Sequence, residues 1–283
     1  MKTILVLTDF SINAEYVAYY ALHMAQHFQT NLLVCNVFED DKNENGSINS
    51  SHPYSRAEEE SIQDLGAVVA ALKTSIDKQP RSNSFRPDIS QCSEVGTVDK
   101  KLNELALKHD VLLAVISSHS ANNLSGSFKR NHARAIVEKA NMPILIVPYQ
   151  VRFKPFGVIA FASGMNNGDI KILNSLTGLA RFSDATVVVV HVSAEDQGNK
   201  DESALELFFT QNAGKTNYAT TQYRHICGRN VADSLKELTV HIDVDLLALV
   251  HRRRSSLQQL FNGVVRKMLN SPSKPLLISP GSV

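Results

Sequence analysis

Residues 3–37 read TILVLTDFSINAEYVAYYALHMAQHFQTNLLVCNV. The first six, TILVLT, are a short apolar run that stops at Asp9, Phe10 and Ser11. Ala14–Phe28 follows, with Val17, Ala21, Leu22, Ala25 and Phe28 at helical spacing on one face. LLVCNV (32–37) is a second apolar run of strand length. Near-continuous apolar runs alternating with amphipathic helices are what parallel strands covered on both faces require. The stretch therefore predicts a βαβ unit.

The same order returns later in the chain. GVIAFAS (157–163), a helical stretch at Ile170–Phe182 and TVVVVHV (186–192) repeat the opening plan. DVLLAVIS (110–117) answers VDLLALVH (244–251), and AIVEKANMPILIVP (135–148) answers VRKMLNSPSKPLLISP (265–280). In each of the last pair a helix ends before a proline that opens a final strand. Aligning these stretches gives an offset of about 154 at the first strand and 132 at the last, so the second repeat is shorter. The polar segment Glu39–Ser55 accounts for most of the difference and has the composition of an exposed loop.

We expect an α/β chain of two open, five-stranded parallel-sheet, Rossmann-like domains, 1–148 and 157–283, joined by a linker at 149–156. The two are expected to pack as a pseudo-dimer, with Ile144–Val147 pairing Leu276–Ser279 so that neither sheet edge is left open.

Composition narrows the function classes. With 283 residues, 43% hydrophobic and 20% charged, the chain has material for two cores at ~100–200 residues per domain. No apolar run reaches the ~20 residues that span a bilayer. The N-terminus shows no cleavage-site pattern, which reads as a cytoplasmic protein. Lys and Arg total 29 against 28 Asp and Glu, so no net charge draws the chain to nucleic acid or membrane. The three cysteines, Cys35, Cys92 and Cys227, are widely spaced with no CxxC pair, against a disulfide framework or zinc site. Cys35 and Cys227 read as small buried strand residues. His119 and His251 stand at strand exits without a second ligand at metal spacing.

Open α/β sheets bind ligands at the carboxyl ends of their strands, where strand order reverses. The stretches to examine are Thr8–Ser11, Val37–Glu39 and Ser117–Arg130, with counterparts Ala162–Met165, Val192–Ala194 and His251–Gly263.

ILVLTDFSINAEYVAYYALHMA, LLVCNV, DVLLAVISSHS and AIVEKANMPILIVP together resemble the universal stress protein family, and the whole chain resembles its tandem form. The resemblance implies a five-stranded parallel fold, dimer-like packing through the last strand and, in many members, ATP or AMP binding. The family's fingerprint after the fourth strand is Gly-x-x-Gly, nine residues, then Gly and Ser or Thr. Glycines let backbone approach phosphate, and a helix N-terminus supplies free N–H donors.

Carried over, Asp9 matches the acid at the nucleoside end and Val37 the wall of the adenine pocket. The fingerprint glycines fall on Ser117, Ser120 and Arg130, and its hydroxyl residue on Asn131. Ser117 and Ser120 either donate hydroxyls to a phosphate or are loop residues tolerated after ligand binding was lost. Arg130 either replaces a phosphate's partner or is a solvated residue at a helix start. In the second repeat Ser163 is expected at the acid position. Arg252, Arg253 and Arg254 form a possible anion site there, with Gly263 as a retained glycine. The alternative reading of such a charge run is an ordinary solvated surface.

Other classes fit less well. FASGMNNGD (161–169) only partly matches the Ser-Gly-Gly-x-Asp-Ser loop of ATP pyrophosphatases. No G-x-x-x-x-G-K-[ST], G-x-G-x-x-G or G-x-S-x-G stretch occurs. A phospho-receiver needs clustered acids after the first strand, where Asp9 stands alone. The expected function is a non-catalytic stress-response regulator or scaffold with degenerate nucleotide motifs, acting through protein partners or self-association. The alternatives are a protein that binds ATP or AMP through its first domain, and a weak nucleotide hydrolase.

Overall fold

Ser11 sets where the first helix begins. Its hydroxyl accepts from the Ala14 backbone N–H (3.2 Å), capping α1 (Ile12–Phe28), and Gln29 ends that helix in the left-handed conformation (φ 54°). The computed structural model describes residues 1–38, 56–80, 85–118, 132–193, 208, 218–252, 258–270 and 272–281.

Strands and helices alternate as the apolar runs predict. The first half holds β1 (Thr3–Leu7), α1, β2 (Asn31–Phe38), α2 (Arg56–Asp77), β3 (Ile89–Val95), α3 (Val98–Lys108), β4 (Val111–Ser117), α4 (His132–Lys139) and β5 (Ile144–Val147). The second holds β6 (Val158–Ala162), α5 (Asn167–Ala180), β7 (Thr186–Ser193), β8 (Thr221–Cys227), α6 (Val231–His241), β9 (Leu246–His251), α7 (Gln258–Asn270) and β10 (Leu276–Pro280). Among the described residues no helix is long and apolar enough to cross a membrane.

The chain forms two compact units whose division does not fall at one linker. Met1–Met142 with Tyr149–Phe153 makes the first, and Pro143–Pro148 with Lys154–Val283 the second. In the first unit the strand order is β3-β2-β1-β4, all parallel. In the second it is β5-β10-β9-β6-β7-β8, parallel apart from β5. β5 runs antiparallel to β10, with Ile144, Leu145 and Ile146 opposite Ile278, Leu277 and Leu276. This is the pairing expected of the two final strands. β5, which the sequence bounds place in the first domain, falls instead with the second unit, where it pairs β10 over three residues. Tyr149–Phe153 returns to the first unit, where Tyr149 meets Tyr16 edge-on at 5.6 Å and Phe153 meets Tyr20 at 5.4 Å.

The central strands supply the cores. Ile4, Leu5, Val6 and Leu32 are wholly buried, as are Ile159, Ala160 and Val187, each large side chain contributing about 1.5–3 kcal/mol of apolar burial. The outer strands β3 (ISQCSEV) and β8 (TQYRHIC) are instead polar and largely accessible, a composition that discourages pairing with other chains.

Candidate functional site

Backbone hydrogen bonds fix how the two halves correspond. Thr8 N–H donates to Cys35 O and Ser163 N–H to Val190 O, both at 2.9 Å; Asn31 donates to Lys2 O and Thr186 to Gly157 O. The offset within these matched pairs is 155 residues, one more than the apolar runs alone suggest. It drops to 132 at the next exit, where Gly96 donates to Phe38 O and Gly228 to Ser193 O, both at 2.8 Å. Phe10 and Met165 are likewise matched, each in the left-handed region at φ 60° and 56°, and each directly precedes an N-cap, Ser11 or Asn166. Ser163 therefore answers Thr8. Gly164, not Ser163, stands at the acid position, because the match is set by the turn before the helix and not by the apolar run.

In the first half the Asp9 carboxylate is half-buried and turned inward on its own loop. It accepts from the Ser11 backbone N–H (3.1 Å) and the Ser11 hydroxyl (2.5 Å), holding the residue that caps α1. The Thr8 hydroxyl accepts from Phe10 N–H (3.0 Å). Val37 is buried (2% exposed) near the carboxyl end of β2, opposite Glu94 of β3. Ser117 is the last residue of β4, which flanks β1 on the other side. The structure thus brings Asp9, Val37 and Ser117 to the carboxyl ends of three neighbouring strands. Ser120, Arg130 and Asn131 lie outside the described residues, as does His119.

Beside these residues lies a polar row that sequence reasoning missed. Asn36 donates to Thr8 O (2.7 Å), Ser61 of α2 donates to Asn36 Oδ1 (3.0 Å), and the Ser61 and Ser93 hydroxyls are 2.7 Å apart. A cavity of about 430 Å³ opens between α1 and α2, bordered by Phe10, Ser11, Glu15, Tyr19 and Asp64. Asp9 does not line it.

The second half is built differently. Asp169, 1% exposed in the first turn of α5, places Oδ2 within reach of the Ser163 hydroxyl (2.8 Å) and the backbone N–H groups of Gly164 (3.1 Å) and Asn166 (3.3 Å). Its other oxygen meets the Arg252 guanidinium. A carboxylate absent from the loop is thus supplied from the helix, and Arg252 pairs with it. Gly281 makes room for this arginine: a Cβ there would stand 2.7 Å from Arg252 Cγ and 3.2 Å from Val250 Cγ1.

The sequence leaves Arg252 between an external anion and a solvated surface; its partner in the structure is neither, but the internal carboxylate of Asp169. Arg253 and Arg254 lie outside the described residues. Gly263 is the sixth residue of α7 and is exposed. At that depth its N–H belongs to the helix ladder and is not one of the free donors of the first turn.

Further along the same strand ends, His191 and His225 answer Asn36 and Ser93. Their rings stack at 6.0 Å; His191 Nδ1 lies 3.0 Å from Ser163 O and His225 Nε2 lies 2.7 Å from the Ser193 hydroxyl. No set of three His, Cys, Asp or Glu poised for a metal occurs among the described residues. Cys35 is buried as read, but Cys227 is exposed, because it ends the outer strand β8.

Comparison with known proteins is consistent with this architecture. Residues 1–148 match the universal stress protein family. The whole chain is similar to the solved structure of a universal stress protein from Archaeoglobus fulgidus DSM 4304, at 11% identity and TM-score 0.71, covering 98% of each chain. A candidate universal stress protein from Pseudomonas aeruginosa UCBPP-PA14 is similar at 12% identity and TM-score 0.61, over 99% of this chain and 94% of its own. A functionally unknown protein from Pseudomonas aeruginosa PAO1 is similar at 14% identity and TM-score 0.59, over 99% and 93%. At these identities the likeness shows a shared fold. No curated protein sequence matches the chain.

Proposed function

The chain belongs to the universal stress protein family in its tandem form, and on that premise we propose that it is a cytoplasmic, non-catalytic regulator or scaffold of the stress response. On this reading it acts through protein partners or self-association, and the second half holds no nucleotide. The carrying observation is the Asp169–Arg252 pair. A phosphate at a strand exit needs free N–H donors and a cation. In the second half the Gly164 and Asn166 N–H groups and the Arg252 guanidinium already converge on one buried carboxylate. An incoming anion would have to displace it, at the cost of stranding a buried charge.

A second reading, adenine nucleotide binding by the first half alone, is favoured by one observation. Asp9 keeps the family's acid position and is half-buried at the exit of β1, near buried Val37. In that reading Asp9 would exchange its contact with the Ser11 hydroxyl for one with ligand, while the Ser11 backbone still begins α1.

Calorimetric titration with Mg-ATP and AMP, run beside a phosphate-release assay, separates the readings. The scaffold reading expects neither saturable heat nor phosphate release. Binding abolished by Asp9→Ala would replace it with the second reading, and turnover above the buffer rate would make the protein a hydrolase.

A further inference from the structure

Cys35 and Cys92 are in-register neighbours on the parallel strands β2 and β3. Parallel strands lie ~4.8 Å apart, inside the ~4.4–6.8 Å Cα separation that a disulfide bridges. Their surroundings differ sharply. Cys35 is wholly buried, while Cys92 is partly accessible on the outer strand of the first unit. Both are free thiols. The Cys92 sulphur is 3.4 Å from Glu94 Oε1, and Glu94 is itself paired with Lys101 at 3.2 Å.

We propose that Cys92 and Cys35 form a reversible thiol–disulfide switch that responds to hydrogen peroxide, with Cys92 as the attacking sulphur and Cys35 as the resolving one. The Cys92 thiolate attacks one peroxide oxygen, the O–O bond breaks, and hydroxide leaves to be protonated, giving a sulfenic acid. The Cys35 sulphur then loses its proton and attacks Cys92 Sγ. The S–O bond breaks and a second water departs. Two thiols are oxidised to one disulfide and one peroxide is reduced to two waters; a dithiol reductant reverses the change.

The division of roles follows from the environments. Hydrogen bonding to Cys35 draws the Cys92 thiol below its ordinary range against burial and Glu94, with help from Lys108. Hydrogen bonding to Cys92 and burial push Cys35 far above its own. An accessible, more acidic thiol beside a buried resolving partner is the arrangement that peroxide-sensing cysteines use. Side chains of in-register parallel neighbours stand farther apart than the ~3.8 Å Cβ separation of a relaxed disulfide, so the bond is a strained, easily reduced one. Its formation would tie β3 to β2 just before the Gly96–Phe38 hydrogen bond (2.8 Å), next to Val37. The switch does not depend on nucleotide binding, so its test is independent of the functional proposal.

The full-length protein is treated with hydrogen peroxide, its remaining thiols are alkylated in denaturant, and non-reduced digests are mapped by mass spectrometry. We expect a linked Cys35–Cys92 peptide that dithiothreitol removes. Cys92→Ser should abolish the link and leave Cys35 as free thiol. Cys35→Ser should stop at a dimedone-reactive Cys92, and Cys35→Ala serves if that variant does not fold. In the native wild type, maleimide labelling of Cys92 should outpace that of Cys35 by at least about tenfold. Oxidation of exposed Cys227 while Cys35 and Cys92 are both recovered as alkylated thiols would overturn the proposal. So would over-oxidation of Cys92 in the wild type without any linked peptide.

Discussion

Asp169 in the first turn of α5 and Arg252 just beyond β9 form an ion pair in which the acid is 1% and the base 19% exposed. Residues 83 apart are joined by a carboxylate that also collects the Ser163 hydroxyl and two backbone N–H groups. Removing one partner of such a buried pair leaves an uncompensated charge and costs about 3–5 kcal/mol. Asp169→Ala and Arg252→Ala should each destabilise the protein by this order in urea unfolding. The double variant should lose clearly less than the two together, giving a coupling energy of ~1–3 kcal/mol. Additive losses would mean the two side chains do not act as a unit.

Asp245 plays the corresponding structural part at the base of the second sheet. Its Oδ2 accepts from the Gly157 and Val158 N–H groups at 2.7 and 3.0 Å, and Oδ1 pairs with Lys154 at 2.6 Å. Burial raises its pKa, but Lys154 and the two N–H donors outweigh burial and hold the carboxyl below the usual range. A carboxyl depressed on folding stabilises above the unfolded value of ~3.9 and loses that stabilisation as pH falls through the folded value. Asp245→Asn should therefore cost ~2 kcal/mol near neutrality, and the gap from wild type should begin to narrow as pH falls below about 4. Parallel urea titrations at pH 7 and pH 3.5 check it; an equal gap at both would contradict the assignment.

His27 gives a pH dependence in a different window. Its ring packs on Phe28 at 5.1 Å and on Phe153 of the returning segment at 5.7 Å. Burial lowers its pKa from 6.5. Protonation thus favours the unfolded chain, and stability present above about pH 6.5 should decline toward the lower folded value. His27→Leu should remove that slope between pH 7 and 5 in thermal melts, whereas an unchanged slope would assign it to another group.

Gln29 adopts φ 54° and ψ 49° at the end of α1 and is exposed. Glycine takes this conformation without the steric cost of a Cβ. Gln29→Gly should raise stability by ~0.5–1 kcal/mol, read as a Tm increase of a few degrees.

Most of the architecture was legible because apolar runs of strand length and amphipathic stretches such as Ala14–Phe28 have distinct periods. The partner of β5 could also be read, since ILIV and LLIS are the two final strands of matching repeats. What pattern could not show was register at the β6 exit. ILVLT (4–8) matches VIAFA (158–162) and IAFAS (159–163) about equally as an apolar run, and only the left-handed Met165 and the Asn166 cap reveal that Gly164 holds the acid position. Asp169 was overlooked for a related reason. An acid in a first helical turn is common, and its partner Arg252 lies too far along the chain for spacing to suggest the pair. Cys92 was likewise invisible as a partner of Cys35, because their meeting depends on the β2–β3 register.

Asp169 and Arg252 fill the second half's strand exit with an internal ion pair. Calorimetric titration of the full-length protein with Mg-ATP, alongside the Arg252→Ala and Asp9→Ala variants, reads whether that exit is left without a nucleotide site. We predict no saturable binding that depends on Arg252. A site of one nucleotide per chain that survives Asp9→Ala and disappears in Arg252→Ala would contradict it.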